Sequence, residues 1–187
     1  MPLPFLIAFL SIQAPSGALS FEKEKIQIVI APGECTLKGN YYFKNNSSSP
    51  CGRTLYYPFV LNDDLPFPDS VNVTDLDDGL AIPFHTSAKG ITFDVSLLPF
   101  STKTVAVEYH QRCSKKRFEY ILTTTSRWQK PLKSAEFLIS LPTELILDSI
   151  SIPCDTISAT SDGQQCLIRR APFIPTEDLS ITWRERE

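Results

Sequence analysis

Apolar side chains fall at every second position along most of this chain, which is the period of an extended strand rather than a helix. Leu37, Gly39, Tyr41 and Phe43 lie on one side of the backbone. Thr36, Lys38, Asn40 and Lys44 lie on the other, with the aromatic Tyr42 an exception among them. Ile26, Ile28 and Ile30 mark an earlier strand with Lys25 and Gln27 outside. The same alternation runs through Ile91–Leu97, Val105–Tyr109, Phe118–Thr124, Ala135–Ile139 and Leu179–Trp183. Turn chemistry separates these runs at Ala31-Pro32-Gly33, Asn45 to Pro50, Asp77-Asp78-Gly79, Lys89-Gly90 and Asp162-Gly163. Short strands with one greasy and one wet face, divided by such turns, predict an all-β fold. We expect a single-domain antiparallel β-sandwich, immunoglobulin-like or jelly-roll-like, over residues 21–187. The Asn45 to Pro50 loop predicts a hairpin between 35–44 and 53–60. Pro58 and Pro83 interrupt strand-like runs and lack the amide that a central strand needs, so those runs belong at edges or bulges.

The N-terminus adds a compartment. Leu3 to Ile12 is an apolar run of signal-peptide length, followed by the small residues Ser16, Gly17 and Ala18. Residues 1–20 are therefore expected to be a signal peptide, although no Lys or Arg precedes the run. The expected location is secreted or periplasmic, with no membrane span in the mature chain. Five cysteines then read as disulfide candidates and not as metal ligands, because no C-x-x-C pair occurs. Cys154 with Cys166, flanking Asp162-Gly163, is the favoured bridge, and Cys51 with Cys113 is a second. Under the predicted hairpin, Cys35 and Cys51 lie roughly 27 Å apart at about 3.4 Å per residue, too far to bond.

The fragments Gly39-Asn40-Tyr41-Tyr42-Phe43-Lys44-Asn45, Tyr57-Pro58-Phe59, Val105-Ala106-Val107-Glu108-Tyr109 and Ser126-Arg127-Trp128-Gln129-Lys130-Pro131 occur in that order. Their succession resembles an uncharacterised class of secreted prokaryotic β-sandwich domains, over about residues 23 to 152. The resemblance implies the sandwich and secretion, and it lends no catalytic residues.

Candidate chemistry is sparse. A formal net charge of −3 and the lack of a basic stripe exclude a nucleic-acid partner. The imidazoles are His85 and His110, each at a strand end, and no G-x-S-x-G elbow is present. His110 with Cys113 is the one conceivable nucleophilic pair. Asp75, Asp77 and Asp78 precede Gly79 in a pattern that resembles a calcium loop but lacks its regular alternation and closing Glu, so a plain turn is the favoured reading and calcium the alternative. Tyr42 and Tyr56 are expected on a shared outer face, where exposed rings stack on sugars or bury against a partner. The sequence therefore favours a non-enzymatic structural or protein-interaction module. The alternatives are a carbohydrate-binding module using Tyr42 and Tyr56, or a small secreted hydrolase using the acidic segment.

Overall fold

Strand β1 (Leu19–Ala31) reverses at Pro32-Gly33, where Gly33 holds a φ of 82°, and returns as β2 (Glu34–Asn45). That turn places a residue without a Cβ in the left-handed region, where other side chains clash. The structure, a computed structural model, describes residues 18–128 and 130–186. The expected leader up to residue 17 lies outside the described residues, as does Gln129. β1 nevertheless reaches back past the expected boundary at residue 21, since Leu19 and Ser20 pair with Asn45 and Lys44.

The chain continues through β3 (Cys51–Pro58), β4 (Ser70–Asp75), β5 (Phe84–Ser87), β6 (Gly90–Leu97), β7 (Thr102–Arg112) and β8 (Arg117–Tyr120). A 3₁₀ helix, Thr123–Trp128, follows. Then come β9 (Ser134–Pro142), β10 (Leu145–Ile150), β11 (Thr156–Thr160), β12 (Gly163–Arg170) and β13 (Leu179–Glu185).

The fold is an all-β sandwich in unequal layers. One seven-stranded sheet runs in the order β11-β12-β9-β1-β2-β7-β4. Two three-stranded sheets, β3-β6-β5 and β10-β13-β8, form the opposing side. Every pair is antiparallel except β1 with β9, where residues more than a hundred positions apart run side by side in parallel. The large sheet buries Ile26, Ile28 and Ile30 from β1, Leu37, Tyr41 and Phe43 from β2, Val105, Val107 and Tyr109 from β7, and Phe137 and Ile139 from β9. Each such side chain contributes about 1.5–3 kcal/mol by leaving water. Both small sheets close on this face: Tyr57 of β3 packs on Tyr41 and Tyr109, and Phe118 of β8 on Tyr109.

The predicted 35–44/53–60 hairpin does not form. Both edges of β2 are taken, by β1 and by β7, so β3 joins the other layer and pairs with β6. The intervening loop is a crossover clamped by Asn45, whose side chain is buried. Its Nδ2 donates to the carbonyls of Ser49 (2.8 Å) and Leu98 (2.9 Å), and its Oδ1 accepts from the Ser47 amide (2.9 Å). Pro58 ends β3, an edge strand, where its missing amide costs no central ladder bond.

A bulge in β1 sets the interior. The register steps from Phe21↔Phe43 to Lys23↔Tyr42, so Glu22 has no partner across β2. Residues on either side of a bulge change parity. Phe21 and Glu24, which a regular strand would point to opposite faces, therefore both point inward.

Cys154 and Cys166 are joined by a disulfide with Cα atoms 5.8 Å apart. Cys51 and Cys113 are not joined. They are buried free thiols, as is Cys35. Cys51 lies opposite Leu97 in the small sheet, whereas Cys113 directly follows β7 with its amide on the Gly33 carbonyl (2.9 Å). That position brings Cys113 beside Cys35, and the contact between the two thiols, with burial, pushes the Cys35 thiol far above its ordinary acidity range.

Candidate functional site

Three tyrosines that the alternation assigns to the interior meet hydroxyl to hydroxyl between the layers. Tyr41 Oη lies 2.8 Å from Tyr57 Oη and 2.9 Å from Tyr120 Oη. They come from β2, β3 and β8, one from each sheet. Gly39 makes room for this. A methyl group there would sit 2.2 Å from the Tyr41 hydroxyl oxygen and 2.5 Å from the ring carbon that bears it. The Tyr41 ring lies back across its own strand, over a position without a side chain. Burial holds all three phenols well above their usual pKa, so they serve as neutral hydrogen-bonding groups and not as bases.

Behind them lies Glu24, 2% exposed, opposite Tyr41 across the β1–β2 ladder. Its carboxyl is hydrogen-bonded to Tyr120, and its Oε1 has no partner. Burial disfavours the ionised form and pushes its pKa up to about 8. The interior thus holds a carboxyl that is uncharged at neutral pH.

In front of the tyrosines a pocket of about 90 Å³ opens to solvent. Its back wall is Phe21, Tyr41 and Phe43 from the large sheet. Leu55, Tyr56, Tyr57, Pro58 and Phe93 of the small sheet line one flank, and Tyr120, Ile121, Thr124 and Trp128 the other. Phe21, Phe43 and Trp128 form a mutual cluster with centroids 5.3–5.8 Å apart. At the rim, the Arg53 guanidinium lies over the Trp128 ring, 4.9 Å from its centroid. Among the described residues no ionised carboxylate lines this pocket. An apolar wall with a few convergent hydroxyls is the usual make-up of a small-ligand site.

The residues singled out in the sequence are dispersed. Tyr56 stands at the pocket, 46% exposed. Tyr42 lies on the outer face of the large sheet with the Lys23 ammonium over its ring at 4.2 Å. The shared face expected for Tyr42 and Tyr56 is absent because their strands lie in different sheets. Asp75, Asp77 and Asp78 organise a turn. Asp75 is ion-paired with Lys103 and accepts the Asp77 amide (3.0 Å), while Asp78 accepts the Leu80 amide (2.8 Å). Among the described residues no group of three or more His, Cys, Asp or Glu side chains is placed to hold a metal ion. His110 is exposed, its Nδ1 2.9 Å from Thr36 Oγ1, whereas Cys113 is buried and donates to the Gln111 carbonyl (3.5 Å). The odd spacing turns them to opposite faces, so they form no pair. His85 is exposed on β5.

Sequence reasoning missed the pocket, although part of its signal was available. Glu24 shares the parity of Ile26, Ile28 and Ile30, so the alternation already points it inward. The convergence of Phe21, Tyr57, Tyr120 and Trp128 needs the crossover and the bulge, which no local pattern announces.

The fold and site together define an all-β sandwich domain with an interlayer aromatic pocket. No protein-family model matches the chain, and no curated protein matches it. Among solved structures it is similar to a proposed nutrient-binding protein of Legionella pneumophila, with a TM-score of 0.72 and 16% identity over 90% of this chain and 67% of that one. It is also similar to an M1 zinc metallopeptidase of Deinococcus radiodurans, with a TM-score of 0.54 and 9% identity over 88% of this chain. The chain spans 42% of that peptidase. At these identities the likeness concerns the fold alone. No helix among the described residues is long and apolar enough to cross a membrane.

Proposed function

We propose that this chain is a non-catalytic, extracytoplasmic binding module of the protein-interaction type, which takes a ring or small apolar group of its partner into the interlayer pocket. The observation that carries this reading is the pocket itself, an opening onto buried aromatic rings with three tyrosine hydroxyls at its floor. Roughly 150 Å³ holds benzene outright. A smaller pocket that opens to solvent admits a ring edge first and leaves part of it outside, as befits a group still attached to a partner. The Cys154–Cys166 disulfide supports an oxidising compartment. The likeness to a proposed nutrient-binding protein is compatible with a binding role. The sugar-platform alternative loses its basis with the separation of Tyr42 from Tyr56.

Phenol is a suitable probe. Titrated into ¹⁵N-labelled protein, it is expected to shift the amides of Phe21, Leu55, Tyr57 and Trp128 and the Trp128 indole, and to leave the buried Trp183 indole unmoved. Thr124→Trp, which fills the opening, is expected to abolish these shifts while the far-ultraviolet strand spectrum persists. Shifts confined to exposed apolar residues such as Leu98 and Ile157, or unchanged by Thr124→Trp in the folded variant, would refute the reading.

A further inference from the structure

Arg53 has no carboxylate partner among the described residues, whereas nine other lysines and arginines among them are ion-paired. It sits on β3 two residues before Leu55, the first residue of that strand to line the pocket. Its guanidinium is held on the Trp128 ring, so its position at the rim is fixed by stacking and its N–H groups remain free to donate. The acid nearest the floor, Glu24, is buried behind the tyrosines and uncharged at neutral pH, so it does not repel an anion at the mouth. A planar fork of donors beside an apolar ring-sized opening matches one chemistry: a ring that carries a carboxylate a short distance away.

Resting on the pocket reading above, we propose that the site selects an aryl carboxylate, such as an aromatic residue bearing a free terminal carboxylate, with the ring between Phe21, Tyr57 and Trp128 and the anion on Arg53. A cationic group is disfavoured at the same rim by like charge. The guanidinium is exposed, so its contribution is bounded by solvent screening.

The test compares 3-phenylpropionate with its neutral amide, 3-phenylpropanamide, by NMR titration of the full chain at neutral pH. The wild type is expected to bind the acid about threefold more tightly than the amide, the range of one solvent-exposed charge pair. Arg53→Met keeps an unbranched apolar stem over Trp128 and removes the charge. It is expected to bring the acid down to the affinity of the amide and leave the amide unchanged. Equal binding of acid and amide by the wild type overturns the carboxylate inference while the pocket reading stands. So does an acid preference that survives Arg53→Met, which would make Arg53 only a cover for Trp128. If neither probe binds, both readings fall together.

Discussion

Glu24 is the residue where the cost of this interior is concentrated. Its carboxyl is fully buried with one oxygen unpartnered, and its pKa is raised from 4.5 to about 8. Between those values the folded chain holds a proton that the unfolded chain has released, so folding stability falls as pH rises through this window. Below about 4.5 and above about 8 the group contributes no slope. The decline is on the order of 1 kcal/mol per pH unit. Urea denaturation of the wild type from pH 5 to 8 is expected to show this loss, and Glu24→Gln, which keeps shape and hydrogen bonding but cannot ionise, is expected to remove most of it. A wild-type slope that Glu24→Gln leaves unchanged would assign the effect elsewhere. This residue was also legible beforehand, because a charged side chain on the parity of three isoleucines is a conflict that a sequence rarely carries without cause. Its tyrosine partners were legible only as interior residues. Nothing local told Tyr41 that its hydroxyl would meet Tyr57 and Tyr120, whose strands lie in other sheets.

Among the elements, β1, β2, β6, β7, β8, β9 and β13 followed from period-two alternation, and the Pro32-Gly33 turn from its residues, whereas β10, β11 and β12 did not. Pairing did not. β2 and β3 are neighbours in sequence with a loop of hairpin length between them, yet β2 is claimed on both edges and Asn45 turns the chain across the sandwich. The parallel β1–β9 pair is a contact of the same non-local kind. The β6–β7 turn shows a local conflict of its own. Phe100 holds a φ of 55° although it is not glycine, and 65% of it is exposed. A Cβ in the left-handed region costs about 1–2 kcal/mol, and so exposed a ring recovers little of it by packing. Asn tolerates that conformation, so Phe100→Asn is expected to raise the urea midpoint by the equivalent of about 1 kcal/mol with an unchanged slope. A drop in the midpoint would mean that the ring makes contacts in solution that offset the backbone cost.

At the scale of the whole molecule, the site belongs to no single element. The bulge in β1 turns Phe21 inward, Gly39 clears the space for Tyr41, the edge strand β3 supplies Leu55 and Tyr57, and the 3₁₀ helix after β8 brings Trp128. Sequence could give the greasy side of each strand, but the convergence of four segments separated by tens of residues is a property of the closed sandwich. The cysteines show the same division. Cys154 and Cys166 lie on either side of the Asp162-Gly163 turn, close in sequence, and could be paired on sight, whereas Cys35 and Cys113 become neighbours only through the β2–β7 ladder.

The central claim is that a ring enters between the layers at the tyrosine floor. Isotope-filtered nuclear Overhauser spectroscopy on the labelled protein with phenol measures this directly. The account predicts contacts from the probe ring to Phe21, Tyr57 and Trp128. Contacts only to Tyr42 on the outer face, or to the exposed Leu98 and Phe100 turn, would contradict it.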